Sequence, residues 1–198
     1  MVRTQFGKRD SLRLEQSPGA VAIFSSPRDS STATVPGSRL ITVPSGSTWK
    51  TGLHWHEEYD ETVRVVQGKA AITVSGFTRS RQWKGHWDVV IEEWVDPEDG
   101  FKAVFFYNVI GALLEADSKP GFSDFIQMGT TLAYVDEFPA FMPGPFMLKY
   151  AATHAALATV SCMGWALGYQ PWIKEYTPEH LWDTARTRGG RREDTKAK

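Results

Sequence analysis

His54-Trp55-His56 is followed after four residues by Glu61 and after a further six by Gly68. On an extended strand, side chains alternate between faces, so His54 and His56 project one way and Trp55 the other. Residues 57–60 can turn the chain, and Glu61 then opens the next antiparallel strand on the imidazole face. Two neutral imidazoles and a carboxylate converging from adjacent strands make a facial triad. Such a triad binds a divalent ion and leaves coordination positions open for substrate or dioxygen. Fe(II) suits the set best, and Mn, Ni and Zn are also accommodated, because ligand type alone does not fix the metal. On this reading affinity falls with acidification, as imidazoles protonate near an ordinary pKa of about 6.5. The competing reading is a solvated hairpin carrying the acidic cluster Glu57, Glu58, Asp60 and Glu61. The full His-His-Glu-Gly spacing is rarer by chance than any pair within it, and favours the metal.

The elements that must position these groups are mostly short strands. Arg39–Val43 reads as a strand ending at Pro44-Ser45-Gly46. Thr62–Gln67 alternates, with Val63 and Val65 on one face, and Gly68-Lys69 turns it into Ala70–Ser75. Asp88–Val95 and Phe101–Tyr107 read as two further strands joined by the turn Asp96-Pro97-Glu98-Asp99-Gly100. Short strands with frequent turns predict a sandwich or barrel. Before them, residues 1–38 read as an N-terminal arm, with a Ser/Thr/Pro/Gly-rich loop at Ser25–Ser38. After Asn108 the text turns helical: a short helix at Val109–Ala116, a break at Lys119-Pro120-Gly121, and three prolines across Phe138–Pro145. A Pro-free helix follows over Phe146–Tyr169, stopped by Pro171. A last short helix is predicted at Pro178–Thr187, and residues 189–198 read as a frayed tail.

Composition narrows the function. Twenty-two Lys+Arg against 23 Asp+Glu leave a net charge of −1, without the clustered positive charge that nucleic-acid binding needs. Cys162 is the single cysteine, which excludes an internal disulfide and any zinc site built on two thiolates. The polar stretch from Met1 to Gln16 lacks the apolar core of a secretory signal, so a reducing, cytoplasmic setting is expected. His56-Glu57-Glu58-Tyr59-Asp60 begins like a zincin helix but has Asp60 where the second His would stand. Neither a nucleophile elbow, a phosphate loop nor a dinucleotide fingerprint occurs. Eight Trp, eleven Phe and six Tyr fit a bulky core or a pocket for a flat apolar ligand. Tyr59, Trp87 and Phe105 are candidates for either, with core the favoured reading. Tyr150–Tyr169 has the length of a membrane span, but His154, its alanines and its hydroxyls favour a packed helix with the stripe Leu157, Val160, Met163 and Leu167. Peripheral membrane contact through this helix is the lesser alternative.

The string GlyX₇HisXHisX₄GluX₆Gly, from Gly46 to Gly68, resembles the first signature of the cupin superfamily. The usual form has five residues between its first Gly and first His; the His-His-Glu-Gly part matches without adjustment. The resemblance implies an all-β core, a single cupin jelly-roll β-barrel over residues 39–108. It also implies a metal held inside by His54, His56 and Glu61, with a C-terminal helical extension over 109–188 packing on the barrel. The second cupin signature supplies a fourth ligand from a Pro-X-Gly-X-X-His string. Here no proline lies between Gly76 and Val90, and His86 after Gly85 is the candidate, either as a ligand or as a surface histidine beside Trp83 and Trp87.

Gly168-Tyr169-Gln170-Pro171-Trp172 and Glu175-Tyr176-Thr177-Pro178 resemble the tails of small fungal cupin proteins. Those occur in gene clusters for reduced aromatic polyketides of the salicylaldehyde type, where they are described as cupin-domain oxidoreductases. The expectation is therefore a metal-dependent oxidoreductase acting on a small aromatic or polyketide substrate, as a homodimer. The alternatives are an isomerase, dehydratase or cyclase using the ion without net redox, and a non-catalytic small-molecule-binding cupin.

Overall fold

A computed structural model describes residues 4–9, 11–25, 38–74, 77–79, 87–96, 99–115 and 121–187. The predicted loop over residues 26–37, the candidate ligand His86, the break at 119–120 and the tail from 189 onward lie outside the described residues. The chain divides into two compact units: one drawn from Asp10–Thr51 and Glu61–Asp96, the other from Met1–Arg9, Gly52–Asp60 and Pro97–Lys198.

The first unit is built on a sheet. Its strands are β1 (Ser11–Glu15), β2 (Val21–Ser25) and β3 (Arg39–Val43). After β4 (His54–Trp55), which belongs to the other unit, come β5 (Asp60–Gln67), β6 (Ile72–Val74), β7 (Phe77–Arg79) and β8 (Val89–Asp96). Five of them form one sheet in the order β1-β2-β3-β8-β5, and β6 with β7 makes a separate hairpin. Pairing is antiparallel from β1 through β8, with Leu12 opposite Phe24, Phe24 opposite Ile41, and Ile41 opposite Ile91. β1 and β5 are the sheet's two ends, so the five strands form an open sheet and not the closed barrel expected.

Residues 11–25, expected within the arm, supply two of those strands. Leu12 and Leu14 point inward while Ser11, Arg13 and Glu15 face water, a two-residue alternation too short to stand out among the flanking charges. Glu92 is fully buried in this sheet. Ser38 Oγ donates to its Oε1 at 2.7 Å and the Arg64 guanidinium pairs with Oε2, which offsets the cost of burying a carboxylate. Gly68 ends β5 with φ +79°, and a Cβ there would sit 3.1 Å from the Asp88 carbonyl oxygen. The tight turn read from the sequence is thus a position that glycine fits without strain.

The second unit is helical, with α1 (Phe101–Glu115), α2 (Phe122–Tyr134) and α3 (Phe146–Ala166). β9 (Phe138–Pro139) lies between α2 and α3 and pairs antiparallel with β4. The predicted strand Phe101–Tyr107 is instead the first half of α1, and Val109–Glu115 its second half. The aromatic and β-branched residues that read as strand are buried on nearly every side, from Phe101 to Ala112, and a helix that is apolar all round belongs inside a core. Asp99, read as part of a hairpin turn, opens the helix: its Oδ1 accepts the Phe101 N–H at 2.9 Å. Lys102 is buried with its ammonium over the rings of Phe105 and Phe106 at 5.0 and 5.4 Å.

Asn108 is fully buried on α1 and clamps the C-terminal segment. Its Nδ2 donates to Val104 O and Thr177 Oγ1 at 2.8 and 2.9 Å, and its Oδ1 accepts the Ile173 N–H at 2.6 Å. The segment ends in a short helix over residues 179–187, as predicted.

α3 forms where the Pro-free stretch required, and a Tyr169 N–H to Gly164 O bond of 2.8 Å closes its C-terminus. It packs along α2. Thr153, Leu157, Val160 and Gly164 are its buried residues. Of the expected stripe, Leu157 and Val160 are buried while Met163 and Leu167 are exposed. The seam is so close that a Cβ on Gly129 would strike Val160 and one on Gly164 would strike Thr130. No described helix is long and apolar enough to cross a membrane.

Candidate metal centre

β4 is the strand on which the motif begins, and its partner is β9, with Trp55 opposite Phe138 and His54 opposite Pro139. Among the described strands β4 thus pairs with β9 and not, as strand alternation alone predicts, with the strand that Glu61 opens. Alternation still separates the faces. Trp55 stacks on Phe138 at 5.7 Å and 20°, lies near parallel to Tyr150 at 6.3 Å, and meets the edge of Phe146 at 5.9 Å. This aromatic cluster holds one side of β4 against α3. Thr153 Oγ1, fully buried, adds a bond to Pro139 O at 3.2 Å.

His54 and His56 lie on the other face, with ring centroids 5.2 Å apart and planes at 82°. Glu61 follows as the second residue of β5. One donor atom from each of His54, His56 and Glu61 can be chosen so that all three lie within 4.8 Å of one another, and all three residues are half-buried. Donors sharing one metal at bonds of about 2.0–2.2 Å lie roughly 3–3.5 Å apart, so binding would draw these groups together by up to about 1.5 Å.

The hydrogen bonds on the imidazoles test whether this set fits an ion. His56 Nδ1 lies 2.6 Å from the main-chain oxygen of Asp136, and His54 Nδ1 lies 3.3 Å from that of Gly52. A carbonyl oxygen only accepts, so in each neutral ring Nδ1 carries the proton and Nε2 carries the lone pair. The His56 Nε2 is itself buried. Metal-binding histidines characteristically donate their second ring N–H to a carbonyl or carboxylate, which fixes tautomer and ring orientation. Both imidazoles here meet that condition, and the donor set fits a divalent cation.

Asp136 was not among the candidates from sequence. It follows α2 with φ +58° and is 4% exposed. Besides receiving the His56 N–H on its carbonyl, it accepts the Glu57 N–H at 3.1 Å and the Glu58 N–H at 2.9 Å on carboxylate Oδ2. Burial raises its pKa above the ordinary carboxylate value; the Glu58 and Glu57 amides pull the other way. The only local signal is an acidic residue just past an apolar helix, where Asp tolerates the left-handed region better than most side chains do.

The remaining acidic residues are not all solvated. Glu57 Oε1 accepts from His154 Nε2 at 2.7 Å, and the negative charge of Glu57 raises the pKa of the Tyr150 phenol. Tyr59 lies parallel to Phe101 with centroids 6.5 Å apart and donates its hydroxyl to Asp99 Oδ2 at 2.9 Å, tying the motif's turn to the start of α1. Phe105 is core, and Trp87 is 74% exposed. Neither His86 nor its neighbours Trp83 and Gly85 fall among the described residues.

Glu61→Gln is expected to weaken divalent-ion binding while leaving the unfolding midpoint of the metal-free protein nearly unchanged. It removes an anionic donor at almost constant volume. Metal titration alongside denaturant unfolding checks this; a collapsed fold would instead mark Glu61 as a structural carboxylate.

Comparison with family models, curated proteins and solved structures finds no match for the chain.

Proposed function

We propose that the protein is a metal-dependent oxidoreductase whose centre is His54, His56 and Glu61, acting on a small, partly apolar aromatic intermediate. The observation that carries the reading is the convergence of three donor atoms within 4.8 Å, with both imidazoles oriented by carbonyls at Nδ1. Bound there, Fe(II) would supply Lewis acidity and dioxygen activation at open positions. The protein's part is to present two neutral nitrogen donors and one anionic oxygen donor. Glu61 offsets part of the cation's charge. The hydrogen bonds at Nδ1 orient both rings and place the nitrogen lone pair at Nε2. The resemblance of its C-terminal segment to small cupin-domain oxidoreductases leads this reading to oxidation or reduction; the three donors themselves suit an isomerase, dehydratase or cyclase equally well.

The test is genetic and chemical together. A producing strain lacking the gene is expected to accumulate an aromatic intermediate, measured by mass spectrometry of its metabolites. Reintroducing the wild-type gene should restore the product, and reintroducing His56→Ala should not. Restoration by His56→Ala would remove the metal from the reaction. An intermediate and product of equal oxidation level would replace oxidoreduction with Lewis-acid chemistry.

A further inference from the structure

His54 takes its orienting carbonyl from Gly52, within the motif, whereas His56 takes its own from a residue 80 positions downstream. We propose that Asp136 is the positioning residue of the centre, an inference that rests on the metal reading above. Three contacts converge on it. Its main-chain oxygen takes the His56 Nδ1–H at 2.6 Å. Its carboxylate takes the amides of Glu57 and Glu58, at 3.1 and 2.9 Å on Oδ2. One residue therefore sets the ring tautomer of one ligand and immobilises the turn that leads on to Glu61.

The corner also has its own means of staying put. Asp136 adopts φ +58°, which aspartate tolerates and most side chains do not. It sits between α2, capped at Val135 by bonds to the Thr131 and Leu132 carbonyls, and β9, whose two residues pair with β4. A shift of this corner would move the His56 acceptor and the amide clamp together. Asp136 touches no donor atom by way of its own ligation; it acts through His56 and the 57–58 amides.

Removing the carboxylate leaves the carbonyl in the chain but frees the turn, and alanine is strained at a positive φ. Loss of such an outer-shell partner typically weakens metal affinity 10- to 100-fold. Asparagine tolerates the left-handed region and keeps one amide acceptor, so it should preserve the corner.

The experiment is a Co(II) titration of the full chain, read by competition affinity and by the visible absorption of the bound ion. It is paired with ¹⁵N NMR of the imidazoles in the metal-free protein. Wild type and Asp136→Asn are expected to differ by less than about 10-fold in affinity and to show His56 protonated at Nδ1. Asp136→Ala should bind 10- to 100-fold more weakly, with an altered Co(II) spectrum and a mixed His56 tautomer. Should the alanine variant fail to fold, Asp136→Gly replaces it, since glycine accepts the positive φ and likewise lacks the carboxylate. Wild-type affinity, spectrum and tautomer in the variant lacking the carboxylate would overturn the role of Asp136 alone. A wild type that takes up no Co(II) would overturn the metal reading and this inference with it.

Discussion

In His56→Ala, the thermal stabilisation that a divalent ion confers on the wild type is expected to vanish. An ion that binds only the folded chain, at a thousandfold excess over its Kd, stabilises it by about 4 kcal/mol. For a chain of this size that amounts to roughly 10 °C in Tm. Of the three proposed ligands, His56 is the one whose loss should matter most, because its Nδ1 is bonded at 2.6 Å and its Nε2 is buried. The substitution also removes the donor that satisfies the Asp136 carbonyl, costing about 1 kcal/mol in the absence of metal. Scanning calorimetry with and without Zn(II) separates the two effects. An undiminished metal-induced shift in His56→Ala would place the ion elsewhere.

The second large effect concerns the scaffold. Asn108→Ala is expected to destabilise the helical unit by about 3 kcal/mol. The side chain is fully buried and makes bonds to Val104, Thr177 and Ile173. Alanine would leave the buried Ile173 N–H without its acceptor and open a space the size of a carboxamide. The surrounding residues are poorly placed to collapse into it, because Thr177 Oγ1 is itself tied to Ile173 O at 2.9 Å. Denaturant unfolding followed by helical circular dichroism gives the difference. A loss below about 1 kcal/mol would mean that water takes over these bonds and that the clamp is not structural.

What could be read from the residues was local. His54, His56 and Glu61 lie within one short stretch, so residue type and spacing marked the group, although the strand pairing expected to assemble it was wrong: β4 pairs with β9. Arg39–Val43 and the Pro-bounded α3 were equally plain, each set off by its own stop signals. Phe101–Glu115 was misread in its first half because a short run rich in aromatic and β-branched residues has the same composition in a buried helix and a buried strand. Burial on all sides removes the polar stripe that would have shown the 3.6-residue period. The closed barrel failed for a related reason. It was carried by resemblance over a motif of about two dozen residues, and sheet closure depends on pairings that no local spacing encodes. Asp136 was illegible for the simplest reason: its role consists of contacts to residues some 80 positions away, made through a backbone conformation that the sequence marks only weakly.

The most direct measurement is the metal content of the purified chain after saturation with Co(II) and removal of free ion, for wild type and for a variant combining His54→Ala, His56→Ala and Glu61→Gln. The wild type should retain about one ion per chain, and the triple variant, with its circular dichroism unchanged, should retain none. A folded triple variant that holds as much cobalt as the wild type, or a wild type that holds none, would contradict a metal centre at these three residues.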